Sequence, residues 1–393
     1  MRIAIFSDTY APDINGVATS TKILKEELVK HGHEVVVVTT MLPDGSDYKD
    51  DVNDNILRVH GLEIQALYGY RACKMYSFRV MRALKKMNID VIHIQTEFGI
   101  GIFGRIVGDA LKIPVVYTYH TMWADYSHYI NPLNSNSIDG LIKKAVARIT
   151  RFYADKSAEL IVPSQKTKDA LELYGLNKDA HIIPTGLELD KFDPKNKNEE
   201  LVNSIKKEYG INDEFVITFL GRIAKEKSID ILIDAMKEIV KKNKNVKCLI
   251  VGGGPQLEEL KELVSSYGIS EYVIFTGAKT SEEVPSYYHI SDVFVSASIT
   301  ETQGLTYIEA MASGIPAVAR YDKNLENIII DGVNGYFFNK TEELIDILLN
   351  LMNFDCSKMK EQAELSMMKY SSENFYKQVI HVYNKAIFKT LSA

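Results

Sequence analysis

The stretch ETQGLTYIEAMASGIPAVA, residues 301–319, places Glu301 and Glu309 on either side of a Gly-Leu-Thr step. A polar loop precedes this step and a Gly-Ile-Pro triplet follows it, which predicts a helix from about Gly304 to Ser313. Glu309 then lies about one turn inside the helix, where its carboxylate can accept hydrogen bonds from two vicinal ribose hydroxyls. Glu301 lies in the loop and can accept hydrogen bonds from the hydroxyls of another sugar. The two carboxylates therefore indicate a site that holds both ends of a nucleotide sugar.

The helix start between these glutamates suits a phosphate. Its first backbone amides belong to Gly304, Leu305 and Thr306, and the helix dipole favours an anion beside such donors. In an alternative interpretation, Glu301 is an ordinary loop acid and Glu309 a solvated helix residue. Glu309 stands among apolar neighbours in YIEAMA, which argues against a solvated acid.

Two cations and a glycine run follow other predicted strands. In FLGRIAKEKSIDILI, Arg222 ends a strand and Lys227 precedes a helix that begins near Ser228. Cations in this position suit a diphosphate, which needs charge neutralisation as it leaves, although such a pair is more often part of a solvated loop. The glycines of IVGGGPQLEEL, which include Gly253, lack the G-x-G-x-x-G spacing and indicate close approach by a neighbouring loop or a ligand.

The first loop of the chain carries a further glycine. The segment FSDTYAPDINGVATSTKILKEEL is typical of a strand, a loop and an amphipathic helix, with Gly16 near the helix start. A glycine there lets backbone amides approach an anion or a sugar closely. The same glycine also fits a simple turn, and the two interpretations stay open.

Apolar runs that alternate with helical patterns must position these residues. The runs are RIAIF, EVVVVTT, DVIHIQ, PVVYTYH and AELIVPS, then FVITFLG, KCLIVGGG, YVIFTG and VFVSAS. The alternation predicts parallel sheets with crossover helices, and its restart near residue 214 predicts two doubly wound domains. The predicted division is an acceptor- and membrane-side domain at 1–190, a linker region at 191–213, a nucleotide-sugar domain at 214–372 and a C-terminal helix at 373–393, for which we consider packing on the first domain.

Length and composition exclude several classes of protein. The 393 residues exceed one ordinary core, and 46% apolar with 25% charged residues is typical of a globular chain. Three scattered cysteines predict neither a disulfide framework nor a zinc site and favour a reducing, cytoplasmic compartment. The net charge of −6 gives no nucleic-acid footprint. No apolar run approaches the roughly 18 residues of a spanning helix, so we expect membrane contact to be peripheral.

Three motifs together resemble those of the retaining glycosyltransferase family 4. ETQGLTYIE is similar to the E-x7-E motif of the family, GRIAKEK to its Arg and Lys pair, and FSDTYAPDINGVATS to its N-terminal glycine loop. The motifs occur in the order of the family, and the resemblance covers nearly the whole chain. It implies the GT-B fold, an α/β architecture in which two doubly wound Rossmann-like domains face a central cleft.

The resemblance also implies a role for each matching residue. Arg222 and Lys227 bind the donor diphosphate, Glu309 the ribose and Glu301 the transferred hexose. His120, in VVYTYHTMWADYSHYI, matches the histidine of the family near the reacting sugar, and its place at a strand end favours function over a structural role. The implied set is catalytic His120, Arg222, Lys227 and Glu301; donor-binding Gly16, Arg222, Lys227, Gly253, Lys279, Glu301, Gly304, Leu305, Thr306 and Glu309; and acceptor-side Asp8, Tyr10, His120 and Trp123.

The motifs contain no obvious carboxylate nucleophile for a retaining reaction. The resemblance implies front-face attack instead, in which the leaving diphosphate accepts the proton of the acceptor. No Asp or His cluster suggests a metal site, so we expect a reaction that needs no metal and no cofactor beyond the nucleotide-sugar donor.

Further segments concern the acceptor. IQTEFGIG, YTYHTMWADYSHYI and IIPTGLELDKF resemble the bacterial branch of the family that glucosylates diacylglycerol. This implies UDP-glucose as donor, diacylglycerol as acceptor, and a cytoplasmic protein held peripherally at the inner face of the cell membrane.

A basic segment gives the membrane prediction a physical basis. On a helical projection of residues 71–87, the cations occupy one arc of about 140°. Such a face can hold a protein on anionic lipid, and the basic segment LIKKAVARITRF can add to it. Alternatively, the apolar side packs on the sheet and the basic face is simply solvated. The predicted membrane-binding residues are Arg71, Lys74, Arg79, Arg82, Lys85 and Lys86.

Two other functions stay open at this point. The acceptor of such an enzyme can be a soluble sugar, a thiol-linked precursor or an inositol lipid, because donor motifs do not specify acceptors. A catalytically silent protein that binds nucleotide sugars is the other alternative. The intact set of Glu301, Glu309, Arg222, Lys227 and His120 argues against a silent binder, and donor hydrolysis without acceptor separates the two.

Overall fold

The computed structural model describes residues 1–13, 15–41, 54–63, 71–120, 147–173, 175–176, 178–299, 301 and 303–392, with the backbone alone at 62–63 and 71–72. The strands are β1 Arg2–Phe6, β2 Glu34–Thr40, β3 Ile56–Val59, β4 Gly61–Glu63, β5 Arg71–Cys73, β6 Val91–Ile94, β7 Val115–Thr118, β8 Glu159–Val162, β9 Ala180–Ile182, β10 Phe215–Leu220, β11 Val246–Val251, β12 Val273–Gly277, β13 Val293–Ser296, β14 Ala317–Arg320 and β15 Gly335–Phe338.

Helices alternate with these strands along the chain. The α-helices are Gly16–Lys30, Phe78–Met87, Gly99–Leu111, 147–156, Gln165–Leu173, Glu199–Glu208, Ile229–Lys242, Leu257–Ser266, Val284–His289, Leu305–Ala312, Thr341–Asn353, Ser357–Met367 and Ser372–Leu391, the last of which we name the C-terminal helix.

The chain forms two compact units, each built on a parallel sheet. The N-terminal unit comprises Met1–Gly186 with Ser372–Ala393, and the C-terminal unit comprises Leu187–Ser371. Their sheets have the strand orders β3-β2-β1-β6-β7-β8-β9 and β12-β11-β10-β13-β14-β15, and every pairing within them is parallel. In both sheets the connections reverse direction beside the first strand, which is the doubly wound arrangement. The predicted α/β fold class is confirmed.

Helix Ile229–Lys242 shows why the sequence folds this way. Its buried apolar side chains recur at the spacing of one helix face, as in Ile229, Leu232, Ile233 and Met236. They pack on buried strand residues such as Ile217 in a single hydrophobic cluster. Full burial of each such side chain stabilises the fold by about 1.5–3 kcal/mol, so the helix and the sheet hold each other in place.

The C-terminal helix belongs to the N-terminal unit. It packs on β6, β7 and β8 and on helix Gly16–Lys30, with an apolar face that includes Phe375 and Val379. Polar contacts fix its beginning: Ser372 Oγ donates to Glu27 Oε1 at 2.7 Å, and Tyr376 Oη lies 3.0 Å from His33 Nε2. The last stretch of the chain thus completes one face of the first sheet.

The predicted linker region at 191–213 contains ordered structure. Helix Glu199–Glu208 lies within it, and Asn198 caps this helix by accepting a hydrogen bond from the Leu201 amide at 3.1 Å. The C-terminal unit begins at Leu187 and ends at Ser371. The division into 1–190, 191–213, 214–372 and 373–393 stays a prediction about domains.

The predicted basic helix over residues 71–87 is wrong in its first part. Arg71–Cys73 form β5, which pairs antiparallel with β4, and the helix begins only at Phe78, where Ser77 Oγ accepts a hydrogen bond from the Val80 amide. Arg71 and Lys74 therefore lie outside the helix, because a strand pairing and a capping serine set its start. The helix itself exposes Arg79, Arg82, Lys85 and Lys86 and buries Val80 and Leu84. Within the described part of the chain, no helix is both long and apolar enough to cross a bilayer.

The triple glycine after β11 lets two loops meet. A Cβ added at Gly252 would lie 1.9 Å from the Gly221 carbonyl oxygen, and one at Gly254 would lie 2.2 Å from the Ile223 carbonyl oxygen. The Ile223 amide donates to the Gly253 carbonyl oxygen at 3.0 Å. The loop after β11 therefore lies directly against the loop after β10, as predicted for a neighbouring loop.

We expect Gly254→Ala to lower the free energy of unfolding by about 1–3 kcal/mol, because the new methyl group would overlap backbone that cannot rotate away. Gly253→Ala is the matched control, since its Cβ would lie 3.9 Å from its nearest neighbour, the Cβ of Ala278. Urea unfolding of both variants measures the difference. Equal stabilities of the two variants would contradict the close approach of the loops.

Candidate active site

The central strands of the six-stranded sheet position the candidate site. β10 and β13 are neighbours there, at the point where the connections reverse. Ligands of doubly wound sheets bind beyond the carboxyl ends of the strands at such a point. Arg222 and Lys227 follow β10, and Glu301 follows β13. The topology therefore brings together side chains that are far apart in sequence.

Lys227 and Glu301 form a direct ion pair. Lys227 Nζ donates to Glu301 Oε1 at 2.6 Å across 74 positions of sequence, and the side chains are 23% and 12% exposed. The backbone oxygen of Glu301 also accepts a hydrogen bond from the side-chain amide of Asn324, which anchors the loop. The pair offers a carboxylate that can accept hydrogen bonds from sugar hydroxyls and an ammonium group that can neutralise the charge of a phosphate.

The helix after Glu301 begins at a glycine with two constraints. Gly304 has φ +73° at the N-cap of helix Leu305–Ala312, a conformation that favours glycine. A Cβ there would also lie 2.7 Å from Leu325 Cδ2. Gly304, Leu305 and Thr306 thus start the helix as predicted, while their contact with a phosphate stays a prediction.

Glu309 lies on this helix against a buried tyrosine. Tyr288 Oη donates to Glu309 Oε2 at 3.0 Å and contacts the Thr306 carbonyl oxygen at 3.3 Å. Burial raises the pKa of Glu309 to about 7, and the hydrogen bond from Tyr288 partly opposes that rise. The carboxylate is therefore held in one orientation and titrates near neutral pH. Sequence reasoning missed Tyr288, because nothing in YYHIS marks a partner for Glu309.

The other predicted donor residues follow three neighbouring strands. Arg222 is exposed after β10, Gly253 follows β11 and Lys279 follows β12. Lys279 Nζ lies 5.3 Å from the ring centroid of Tyr287, where a cation–π contact orients the ammonium. All three lie at the carboxyl edge of the sheet, and their contacts with a donor stay predictions.

Asp8 lies just after the first strand of the seven-stranded sheet, as Arg222 does in the other sheet. It follows β1 and is buried, with Oδ1 accepting from the Ile100 amide at 2.9 Å and Oδ2 from Thr96 Oγ1 at 2.6 Å. Burial raises the pKa of Asp8, and these two hydrogen bonds oppose that rise. Asp8 thereby ties β1 to the start of helix Gly99–Leu111, and its acceptor-side role stays a prediction.

His120 follows β7 in the same sheet. Its Nε2 lies 2.5 Å from Gln95 Oε1, and burial lowers the pKa of His120 to about 4. The ring is therefore a neutral imidazole at pH 7, which can accept a hydrogen bond from a hydroxyl group. Trp123, also predicted on the acceptor side, lies outside the residues that the structure describes.

Two further predicted residues are Tyr10, in the loop after β1, and Gly16, the first residue of the helix that follows. Helix Gly16–Lys30 is capped by Asn15, whose Oδ1 accepts from the amides of Val17 at 3.1 Å and Ala18 at 2.9 Å. Those two amides are thus bonded within the chain, and an anion-binding role for Gly16 stays a prediction. Tyr10 is buried, and burial raises the pKa of its hydroxyl. Its acceptor-side role also stays a prediction.

Comparison with known proteins agrees with this architecture. Residues 14–191 match the model of Glycosyltransferase Family 4, and residues 202–366 match that of Glycosyl transferases group 1. Among solved structures, the Anabaena protein HepE in complex with UDP has a TM-score of 0.76 at 16% identity, covering 98% of this chain and 100% of that one. Sucrose-phosphate synthase from Thermosynechococcus elongatus has a TM-score of 0.77 at 20% identity, covering 99% of each chain. The fold is that of the GT-B glycosyltransferases.

Sequence relatives narrow the class further. Alpha-monoglucosyldiacylglycerol synthase of Acholeplasma laidlawii is 38% identical, over 99% of this chain and 98% of that enzyme. The protein of the same name from Streptococcus pneumoniae is 35% identical, over 98% of this chain and 86% of that protein. The chain belongs to the glycosyltransferase family that contains these synthases.

We expect Glu309→Gln to change the pH dependence of stability. The pKa of this carboxyl rises from an ordinary 4.5 to about 7 on folding, so the folded chain holds the proton more tightly than the unfolded chain. Its contribution to the free energy of unfolding is therefore full below the unfolded pKa and is lost as the pH rises through the folded one. Urea unfolding between about pH 5 and pH 8 should show a smaller decline in Glu309→Gln than in the parent chain.

The matched control is Glu262→Gln, an exposed carboxyl on helix Leu257–Ser266. This variant should decline with pH as the parent chain does. An unchanged decline in Glu309→Gln would show that Glu309 does not titrate as its burial requires.

Proposed function

We propose that this chain transfers glucose from UDP-glucose to diacylglycerol with retention of configuration, forming an α-glucosyl lipid. The observation that carries the proposal is the 38% and 35% sequence identity to two alpha-monoglucosyldiacylglycerol synthases along nearly the whole chain. Crystals of the fold neighbour HepE with UDP and with UDP-glucose support the choice of donor. The ion pair of Lys227 with Glu301 supplies the chemistry that such a donor needs.

The donor roles follow from the side chains of the C-terminal unit. Arg222 and Lys227 neutralise the diphosphate, and Gly304, Leu305 and Thr306 present backbone amides to it. Glu309, held by Tyr288, accepts hydrogen bonds from the ribose. Glu301 accepts them from the hexose while Lys227 balances its charge. Gly16, Gly253 and Lys279 complete the proposed set.

The reaction then needs charge stabilisation more than a nucleophile of the protein. The acceptor oxygen bonds to the anomeric carbon on the face from which the diphosphate leaves, and the carbon–oxygen bond to the diphosphate breaks. The hydroxyl proton passes to the leaving diphosphate. Arg222, Lys227 and the helix dipole stabilise the charge that develops there. We assign Asp8, Tyr10, His120 and Trp123 to the acceptor side, and we propose that no metal takes part.

An exposed face of the N-terminal unit supports attachment to a membrane surface. Phe78, at the start of helix Phe78–Met87, is 82% exposed, and Met75 before it is 55% exposed. These apolar side chains stand beside the exposed cations of the same segment, a combination typical of interfacial helices. Helix 147–156 also exposes apolar side chains beside cations, namely Ile149 and Phe152 beside Arg148 and Arg151. Lys143 and Lys144 lie outside the described residues. We propose that these faces hold the protein peripherally at the cytoplasmic side of the cell membrane.

A transfer assay with UDP-glucose and diacylglycerol in mixed micelles tests the proposed reaction. We expect an α-glucosyl lipid, identified by its anomeric configuration, and a turnover about 10²–10³-fold lower in Lys227→Ala, because one charged donor to the leaving group is lost. Lys225→Ala, an exposed lysine in the same 3-10 turn, should keep the turnover of the parent chain.

Two results would contradict parts of the proposal separately. UDP release with a soluble acceptor, but no lipid product, would keep the glycosyltransferase and reject diacylglycerol. Turnover in Lys227→Ala equal to that of the parent chain would reject the assigned role of the ion pair.

Vesicle sedimentation tests the membrane face. We expect the double variant Lys85→Ala, Lys86→Ala to bind anionic vesicles about 30-fold more weakly, since each cation near the surface contributes about 1 kcal/mol. Binding of the parent chain should also weaken with salt. The control is Lys241→Ala, Lys242→Ala, an equal loss of charge from the end of helix Ile229–Lys242 in the other unit. Equal recovery of the parent chain on neutral and anionic vesicles would reject the membrane proposal.

A further inference from the structure

Four polar side chains line one face of the seven-stranded sheet. His93 lies in β6 and Gln95 directly after it, whereas Thr118 is the last residue of β7 and His120 lies two positions beyond it. The two strands are parallel neighbours in the sheet. Because side chains alternate between the faces of a strand, both members of each pair point to one side. The C-terminal helix packs on these strands, and it contributes Tyr383.

Hydrogen bonds connect these side chains into a chain. Tyr383 Oη lies 2.7 Å from His93 Nδ1, and Thr118 Oγ1 lies 2.6 Å from His93 Nε2. The side-chain amide nitrogen of Gln95 contacts both ring nitrogens of His93, at 3.1 Å from Nδ1 and 3.2 Å from Nε2, and Gln95 Oε1 lies 2.5 Å from His120 Nε2. The contacts run without a gap from the C-terminal helix to His120.

Burying these polar side chains costs free energy of folding. Tyr383 is 0%, His93 1% and Gln95 2% exposed. Polar groups at such depth cost free energy that hydrogen bonds only offset, whereas apolar side chains of similar size would pack there without that cost. The opposite face of the same strands is apolar, with Ile92 and Ile94 in a hydrophobic cluster of the N-terminal unit.

The orientation of the Gln95 amide bears on where the protons of the two histidines lie. Burial lowers the pKa of His93 to about 3 and that of His120 to about 4, so both rings are neutral at pH 7. The amide oxygen of Gln95 only accepts, so the proton of His120 resides on Nε2 and its Nδ1 carries the lone pair. The amide nitrogen of Gln95, turned toward His93, keeps the oxygen turned toward His120.

We propose that Gln95, His93 and Tyr383 are positioning residues that hold His120 in the Nε2–H tautomer, with Nδ1 presented as the hydrogen-bond acceptor. The catalytic side of this inference rests on the acceptor-side role of His120 in the proposed function. The tautomer does not, because it follows from hydrogen bonds within the N-terminal unit. The C-terminal helix is thereby linked to His120 through His93 and Gln95.

Nitrogen NMR of histidine-labelled protein tests the tautomer without any assay of activity. Comparison with His120→Gln assigns the His120 signals. We expect the parent chain to show the pattern of a neutral Nε2–H imidazole, and Gln95→Leu to show a mixture of the two tautomers. An Nδ1–H ring in the parent chain, or an unchanged pattern in Gln95→Leu, would overturn the proposal.

Kinetics test the rest of the chain of contacts. Tyr383→Phe removes one hydroxyl and should lower kcat about tenfold with the affinity for UDP unchanged, and Gln95→Leu should lower kcat by up to about 10²-fold. The control is Tyr376→Phe, which removes a hydroxyl on the same helix that also meets a histidine, His33, and it should keep kcat. Equal kcat in Tyr383→Phe and Tyr376→Phe would reject a role for Tyr383.

A charged variant gives a third measurement that a purely structural role would not move. In Gln95→Glu, a carboxylate beside His120 raises the pKa of the imidazole. The acidic limb of the kcat/KM profile should therefore move to higher pH. An unmoved limb, in an enzyme that loses activity in His120→Gln, would overturn the proposal. Full activity of His120→Gln would instead reject the catalytic role of His120 and leave the tautomer to the NMR result.

Discussion

All strands of the two main sheets run parallel, so the loops that follow the strands all lie at the carboxyl edge of their sheet. This constraint brings polar side chains that are distant in sequence close together. In the C-terminal unit it brings Lys227 within 2.6 Å of Glu301, and in the N-terminal unit it sets Asp8 against Thr96 and Ile100. The same geometry places an ion pair beside one sheet and a buried, hydrogen-bonded carboxylate beside the other. What differs is whether the carboxylate meets an ammonium near solvent or backbone and hydroxyl donors in the core.

Much of this arrangement could be predicted from the sequence, because it depends on local signals. The nine apolar runs predicted β1, β2, β6, β7, β8 and β10–β13 but not the remaining strands, the restart near residue 214 predicted two sheets, and the Gly-Leu-Thr step predicted the start of the helix that carries Glu309. Residues at the ends of neighbouring central strands had to lie close together. The contact between Lys227 and Glu301 follows from the adjacency of β10 and β13, which the apolar pattern alone did not specify.

The sequence could not supply contacts that depend on distant packing. Tyr288 holds Glu309 from another helix, and Tyr383 reaches His93 across 290 positions. A usable signal was present in the second case: HIQ in one strand and TYH in the next place polar residues at alternate positions of otherwise apolar runs. The prediction of one helix over residues 71–87 was wrong in its first part because the projection assumed one uniform period. In the structure, residues 71–73 pair as a strand and Ser77 caps a helix that begins only at Phe78.

The chain leaves the N-terminal unit at Gly186 and returns to it at Ser372. This order has a consequence for synthesis on the ribosome. The C-terminal unit is continuous in sequence and can fold as soon as it emerges, but β6, β7 and β8 lack the helix that packs on them until the C-terminal helix has been translated. During that interval His93 and Gln95 lack the cover of that helix, and transiently exposed surface of this kind favours aggregation. Misfolding caused by changes in the last helix would therefore appear in the half of the protein that is made first.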